Sequence, residues 1–203
     1  MNSISEYKKS AKQKVRSLYW FFYGKTVRNP VLPSKIRTVL YVCKGNIVRS
    51  PFAEHYSKRL IREKGVTEGP IEITSGGLVT PDTRSSPKEA VESAARFGVA
   101  LQGHESRLID SSMFESNDVV VVMDVWQLRM LNRMFPEHSE KTFLLPLFDR
   151  EREKHEDGYW KYNIVDPYGK KSGDYVDCYN RMSTVLVDFL DAVNSPRVPD
   201  AGK

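Results

Sequence analysis

Residues 39–50 read Val39-Leu40-Tyr41-Val42-Cys43-Lys44-Gly45-Asn46-Ile47-Val48-Arg49-Ser50. The first four residues are apolar, and a short run of this kind predicts a buried strand. A cysteine follows the strand directly, and an arginine comes six positions after the cysteine. Loop N–H groups and the N-terminus of a following helix both attract anions. The stretch therefore predicts a loop that wraps a phosphate group and holds a thiol against it.

The residues inside this loop have types that suit an anion site. Gly45 and Asn46 tolerate backbone conformations that other residues avoid. Arg49 offers a planar fork for two phosphate oxygens, and Ser50 can donate a hydrogen bond to the sulfur. With the helix dipole, these groups favour the reactive thiolate form of Cys43. The C-x5-R spacing alone also fits an ordinary buried cysteine, so the flanking strand and helix are what favour a nucleophile.

Apolar patterns outside the loop define the fold class. Strand patterns alternate with helix patterns, which indicates right-handed βαβ units and a parallel sheet. Strands are expected at 36–42, 71–74, 119–123 and 143–147, and helices at 50–64, 86–97, 125–134 and 174–193. We expect an α/β domain with a doubly wound, four-stranded parallel sheet in the order 2-1-3-4 and helices on both faces. Ligands bind such sheets at the carboxyl ends of the strands, where the loop lies.

Composition and charge exclude several classes of protein. The 203 residues include two cysteines, too few for a disulfide framework, so we expect a reducing, cytoplasmic compartment. The histidines and cysteines show no metal-ligand spacing, and we expect neither metal nor cofactor. Residues 1–37 contain nine Lys and Arg residues and one acidic residue, which gives them a net charge of +8. The whole chain carries +5, so residues 38–203 carry 5 − 8 = −3 and are mildly acidic. The basic pI therefore does not predict nucleic-acid binding.

The chain divides into a basic, aromatic extension at 1–35, a main domain at 36–195 and a tail at 196–203. No apolar run is long enough for a membrane span or for a signal peptide. A basic helix is expected from Ser5 to Tyr23, and its aromatic end leaves two interpretations open. Residues 1–30 could lie on an anionic membrane or a partner, or the aromatic side chains could pack onto the main domain.

Asp166-Pro167-Tyr168 is the best candidate for a distant acid. The proline favours an extended backbone at Asp166, so its carboxyl group can reach over a pocket, and Tyr168 offers an aromatic wall. An Asp-Pro pair alone is also typical of an ordinary turn. The loop at 43–50 is what favours the acid.

From about residue 36 to residue 193 the chain resembles the low-molecular-weight protein tyrosine phosphatases. The family's loop motif, C-x-G-N-x-C-R-S-P-x-A-E, is matched by Cys43, Gly45, Asn46, Arg49, Ser50, Pro51, Ala53 and Glu54. Further family motifs are matched in order by Ser75-Gly76-Gly77, Gly103-His104, Ser106-Arg107, Met123-Asp124 and Asp166-Pro167-Tyr168. Many dispersed matches in one order make the resemblance specific.

The resemblance implies hydrolysis of phosphotyrosine in proteins without a metal or cofactor. Cys43 would be the nucleophile that forms a phosphocysteine, Arg49 would bind the phosphate, and Asp166 would act as general acid and then base. The implied substrate-binding residues are Lys44, Gly45, Asn46, Ile47, Val48, Ser50 and Tyr168, and the implied loop-supporting residues are Ser75 and His104. Bacterial members often act on polysaccharide-export kinases, so the implied partner is a phosphotyrosine protein such as an autophosphorylated tyrosine kinase.

Two departures from the family pattern bear on chemistry. Val48 stands where many members carry a second cysteine, which can protect the nucleophile as a disulfide, so we expect a nucleophile without this protection. Ile47 stands where the related protein arginine phosphatases carry threonine, so phosphotyrosine is favoured over phosphoarginine. Lys44 could favour acidic sequence beside the phosphotyrosine or could simply be a solubilising surface residue.

Two other functions are compatible with parts of this pattern. Arsenate reductases of related sequence need further cysteines, and residues 110–130 contain none, so this activity is disfavoured. A phospho-binding scaffold without turnover would not need a complete catalytic set. The presence of Cys43, Arg49 and Asp166 together favours an active enzyme.

Overall fold

The structure is a computed structural model that describes residues 15–20, 22–64, 70–80 and 83–195. The N-terminal part of the expected extension helix and the tail at 196–203 lie outside the described residues. The proposed boundary between extension and main domain stays a prediction.

A four-stranded parallel sheet forms the centre of the fold. Its strands are β1 (Thr38–Cys43), β2 (Glu72–Gly77), β3 (Val119–Val122) and β4 (Thr142–Leu144). The spatial order is β2-β1-β3-β4, and every neighbouring pair is parallel. This confirms the predicted order 2-1-3-4. Because the chain leaves β1 toward one side and later returns to the other, the crevice at the carboxyl end of β1 lies where the strand order reverses.

Within the described residues, six α-helices surround the sheet. They are α1 (Arg49–Lys64), α2 (Lys88–Ala95), α3 (Ser111–Glu115), α4 (Val125–Met134), α5 (Gly158–Tyr162) and α6 (Ser172–Asn194). Short 3-10 helices occur at Gly24–Thr26, Pro136–Lys141, Leu145–Phe148 and Arg152–Lys154. Residues 15–20 and 22–23 are also helical. Single helical turns such as α3 and α5 are too short to give a periodic signal, and the sequence did not predict them.

The prediction of a strand at 143–147 was wrong in its second half. The strand ends at Leu144, and Leu145–Phe148 forms a 3-10 helix. Pro146 has no N–H to donate to a β-ladder, which explains why pairing stops there. Asp149, which directly follows this 3-10 helix, is buried and accepts a hydrogen bond from the Glu151 N–H.

Alternate residues of β1 enter two separate apolar layers, as expected for a sheet covered on both faces. Val39, Tyr41 and Cys43 lie in one layer, which they share with apolar side chains of α1, α2 and α6. Leu40 and Val42 lie in the other, with apolar side chains of α3 and α4. The thiol therefore belongs to the face that α1 and α6 cover.

The N-terminal helical residues contribute to the second layer. Trp20 is 8% exposed and belongs to that apolar cluster. Its ring stacks on Tyr162 with centroids 5.6 Å apart and meets Tyr159 edge-on at 5.7 Å. The aromatic end of the extension thus packs against α5. None of the helices in the described ranges is long and apolar enough to span a bilayer.

Candidate active site

Cys43 is the last residue of β1, and its side chain is buried. Its sulfur accepts hydrogen bonds from the Asn46 N–H at 3.3 Å and from the Ser50 hydroxyl at 3.1 Å. Two donors thus converge on one sulfur atom. The Ser50 contact is the one that its position in the sequence suggested.

Asn46 holds the loop in shape. Its φ of 49° places it in the left-handed region, which asparagine tolerates better than most residues. Its amide nitrogen donates to the hydroxyls of Ser50 and Ser75, at 2.9 Å each, and its amide oxygen accepts from the Arg107 N–H at 3.0 Å. Gly45, by contrast, lies outside the left-handed region, so Asn46 rather than Gly45 supplies the special backbone conformation.

A second layer of polar contacts surrounds this network. The Ser75 hydroxyl donates to a carboxylate oxygen of Glu54 at 2.7 Å. Nε2 of His104 lies 2.7 Å from the Asn46 carbonyl, which can only accept, so this nitrogen carries the proton. Nε of Arg107 donates to the Ser75 carbonyl at 2.8 Å. Ser75 and His104 both contact Asn46, and their role in supporting the loop stays a prediction.

Arg49 begins α1 and is almost wholly buried. One terminal nitrogen donates to Asp124 at 2.8 Å and to the Ile164 carbonyl at 2.9 Å, and the other donates to Asp166 at 2.6 Å. Its Nε is buried and has no hydrogen-bond partner in the described part of the chain. Burial opposes the charged form, but the carboxylates of Asp166 and Asp124 outweigh it, so the pKa of Arg49 is raised above its ordinary value. Arg49 is thus a fixed cation with a donor left for an anion.

Asp166 reaches the site from the loop between α5 and α6, as expected for a distant acid. One carboxylate oxygen pairs with Arg49, and the other accepts the Tyr168 N–H at 3.1 Å. The side chain is 36% exposed, whereas that of Arg49 is 3% exposed. Asp166 therefore bridges the buried loop and open solvent.

Cys43 and Asp166 border a cavity of about 370 Å³ at the carboxyl end of the sheet, whereas Arg49 lines a neighbouring cavity. The first cavity is lined by Cys43, Lys44, Gly45, Ile47, Val48, Val79, Arg84, Asp166 and Tyr168. The structure thus brings seven of the proposed site residues to one cavity and places Asn46, Ser50, Ser75 and His104 behind its wall. In the described part of the chain, no group of three or more His, Cys, Asp or Glu side chains is arranged to hold a metal.

Sequence reasoning gave no role to three residues that shape this site. Asp124 caps α4 by accepting the Gln127 N–H at 2.9 Å and also anchors Arg49. Arg107 anchors Asn46, and Arg84 donates to the Tyr168 hydroxyl at 3.1 Å across the cavity mouth. Asp124 and Arg107 belong to matched family motifs, and Asp124 also directly follows a predicted strand at the edge where ligands bind. Arg84 carried no such signal.

A parallel α/β sheet with a C-x5-R loop at its carboxyl edge and an aspartate facing that loop defines a phosphatase. Comparison with known proteins identifies the family. Residues 38–198 match the family described as low molecular weight phosphotyrosine protein phosphatase. The chain belongs to this family.

Individual relatives agree with this assignment. The low molecular weight protein-tyrosine-phosphatase Wzb of Escherichia coli (strain K12) is 28% identical over 160 residues, which cover 79% of this chain and 97% of that protein. The crystal structure of the Erwinia amylovora tyrosine phosphatase AmsI has a TM-score of 0.66 at 25% identity, covering 78% of this chain and 93% of that one. The YwlE arginine phosphatase from Geobacillus stearothermophilus has a TM-score of 0.64 at 23% identity, covering 76% and 91%, and shares the fold.

Proposed function

We propose that this phosphatase hydrolyses phosphotyrosine in proteins through a phosphocysteine intermediate. The observation that carries the proposal is the position of the Cys43 sulfur, which accepts two hydrogen bonds and lines a cavity together with Asp166. A thiolate, a fixed guanidinium and a movable carboxyl group are what a covalent phosphoryl transfer requires.

In the first step, the Cys43 thiolate attacks phosphorus and the bond from phosphorus to the phenolic oxygen breaks. Asp166 gives its proton to the departing phenolate. Arg49 and the loop N–H groups hold the phosphate oxygens, on which negative charge is concentrated. The phosphate competes with Asp166 for Arg49, so substrate binding releases the ion pair now seen at 2.6 Å.

In the second step, the Asp166 carboxylate takes a proton from water, and the water oxygen attacks the phosphocysteine. The sulfur–phosphorus bond breaks, inorganic phosphate leaves and the thiolate returns. Asp166 is then protonated, ready for the next substrate. The Ser50 hydroxyl, 3.1 Å from the sulfur, stabilises the thiolate as a leaving group.

The decisive experiment measures turnover of p-nitrophenyl phosphate by the wild-type chain and by Cys43→Ser. We expect a burst of nitrophenol, steady turnover by the wild type, and none by the variant. Cys178→Ser is the matched control, since Cys178 packs in the core beside Met182 and should be dispensable. A wild-type chain that binds phosphate but shows neither burst nor turnover would be a phospho-binding scaffold.

Phosphotyrosine is proposed over phosphoarginine because Ile47 and Val48 give the cavity an apolar branched lining. The likeness to an arginine phosphatase concerns the fold and does not bear on this choice. Peptides of one sequence carrying either phosphotyrosine or phosphoarginine test this choice of substrate. We expect the wild type to hydrolyse the phosphotyrosine peptide faster, and Ile47→Thr should reduce the ratio of the two rates. Preferential release of phosphate from phosphoarginine by the wild type would refute the proposal. Arsenate reduction has no support, because neither cysteine lies at 110–130.

The partner we propose is a phosphotyrosine protein, in the first instance an autophosphorylated tyrosine kinase. The support is resemblance: relatives such as Wzb and AmsI are named tyrosine phosphatases. Asp166→Ala should retain binding while losing turnover, and so should trap this partner from native lysate. Vanadate, a phosphate mimic, should release the trapped protein if it is held at Cys43.

For location, we propose a reducing cytoplasmic compartment with peripheral contact to an anionic membrane. Trp20 packs inward, but Val15, Leu18 and Phe22 recur at helical spacing and are exposed. With the charge of +8 on residues 1–37, this face suits an anionic bilayer surface. A triple substitution of these three residues by Ser should abolish sedimentation with phosphatidylglycerol vesicles, while phosphatidylcholine vesicles should bind neither protein. If the triple variant and the wild type sedimented equally with phosphatidylglycerol vesicles, the proposed membrane contact would be refuted.

A further inference from the structure

A second cavity, of about 410 Å³, adjoins the catalytic one. The two cavities share Lys44 and Asp166 as lining residues. The second continues over Arg49 and Asp124 toward α4, α5 and the N-terminal helix. A substrate whose phosphotyrosine fills the first cavity therefore has the second directly beside it.

The N-terminal extension builds one wall of this second cavity, through Tyr19 and Trp20. Trp20 is fixed by the rings of Tyr159 and Tyr162, as described above. Tyr19 is held by stacking on Tyr23 at 5.3 Å and by a hydrogen bond from Arg129 at 3.3 Å. The family match begins only at residue 38, so this wall comes from a segment outside the matched region.

The remaining walls are mainly aromatic and cationic. Trp126 and Arg129 of α4 line the same cavity as Tyr19, and Trp126 and Tyr19 are 48% and 47% exposed. The two carboxylates, Asp124 and Asp166, both pair with Arg49. Half-exposed aromatic rings with a cation nearby favour another aromatic ring, which can stack on them and accept a cation on its face.

We propose that this cavity is a substrate subsite for an aromatic side chain next to the phosphotyrosine. The proposal rests on the proposed phosphotyrosine substrate. Lys44 is exposed and lines both cavities, so its ammonium group can approach the face of a ring bound there. Adjacent residues of an extended peptide are under 4 Å apart at their Cα atoms, so one substrate segment can reach both cavities.

The test measures binding, so that it does not depend on turnover. Phosphotyrosine peptides with Phe, Leu, Ala or Glu at either neighbour of the phosphotyrosine are titrated calorimetrically into the full-length Cys43→Ser chain. We expect Phe on one side to lower Kd roughly five- to tenfold relative to Ala. In the same background, Trp126→Ala or Tyr19→Ala should reduce this ratio to near one, and Trp126→Phe should keep most of it.

Each ratio compares two Kd values measured on the same variant. A partly inactive preparation affects both measurements alike and leaves the ratio unchanged. Trp160→Ala is the matched control: Trp160 is an exposed tryptophan on α5 that lines neither cavity, and its ratio should equal that of the parent. A preference for Glu, no preference, or a Phe preference that survives Trp126→Ala would overturn the subsite. Failure of the wild type to hydrolyse p-nitrophenyl phosphate would overturn the proposed function and leave the binding ratios as an independent result.

Discussion

Two loops meet at the catalytic cavity, and they are held in different ways. In the loop at 43–50, Asn46 and Ser50 are fully buried, and each makes several hydrogen bonds to neighbouring parts of the chain. In the loop that carries Asp166, the carboxyl group is 36% exposed and Tyr168 is 53% exposed. Arg49 and Arg84 hold these two side chains from across the cavity.

This difference in burial assigns phosphate binding to the buried loop and proton transfer to the exposed loop that carries Asp166. The phosphate-binding half keeps its geometry through the core of the domain, so it is organised before substrate arrives. The acid half is held partly by Arg49, the group that the phosphate needs. Substrate binding must therefore loosen the acid loop, and the buried, rigid loop should tolerate damage less than the exposed acid loop.

The largest expected effect comes from oxidising the rigid loop. Cys178 is the only other sulfhydryl in the chain, and burial raises its pKa to about 12. It is therefore a poor partner for a Cys43 disulfide. Excess peroxide should abolish p-nitrophenyl phosphate turnover, dithiothreitol should restore little, and mass spectrometry should find two or three added oxygens on Cys43.

Cys178→Ser serves as the control for this oxidation and should be inactivated at the same rate as the wild type. Full recovery by dithiothreitol, with a Cys43–Cys178 disulfide in the oxidised protein, would show that the two sulfurs can meet. The phosphate-binding loop would then be less rigid than its burial and its hydrogen bonds indicate.

Asp166→Asn tests the acid loop. Loss of general acid catalysis should lower kcat about 10²- to 10⁴-fold. The loss should be smaller for p-nitrophenyl phosphate than for phenyl phosphate, because a better leaving group needs less protonation. Asp177→Asn, an exposed aspartate on α6, is the matched control. Equal losses with both substrates would contradict the assigned role in leaving-group protonation.

Much of the fold and site follows from local sequence signals, and the failures share a cause. The strand before Cys43 and the spacing to Arg49 are local, so the loop could be predicted. The proline at 167 marked Asp166 as non-helical. In contrast, the pairing of Asp124 with Arg49 spans 75 residues and depends on the packed sheet. The sequence left two interpretations of the N-terminal helix open for a related reason: the helix has an inward and an outward apolar face, and composition alone does not tell which one packs on the domain.

Asn46→Ala and Tyr168→Ala compare the stability of the two loops directly. Asn46→Ala leaves the buried Ser75 hydroxyl and Arg107 N–H short of a partner and forces alanine to a φ of 49°, so it should lower the free energy of unfolding by roughly 2–4 kcal/mol. Tyr168→Ala removes an exposed ring and should change it by less than about 0.5 kcal/mol. Urea unfolding followed by circular dichroism measures both. If both variants lowered the free energy of unfolding by similar amounts, the distinction between the rigid, buried loop and the exposed acid loop would be lost.

Arg84→Ala should have the smallest effect. Arg84 donates to the Tyr168 hydroxyl, and its guanidinium carbon lies 5.7 Å from the centre of that ring. An exposed contact of this kind is weak, so its loss should raise KM for a phosphotyrosine peptide roughly two- to fivefold. It should leave kcat nearly constant, because the Tyr168 N–H still donates to the Asp166 carboxyl group. Arg84→Lys should recover part of the KM, and Arg96→Ala, an exposed arginine just beyond α2, should change neither constant. A large fall in kcat would mean that Arg84 positions Asp166. The exposed acid loop would then depend on the contact between Arg84 and Tyr168 as well as on Arg49.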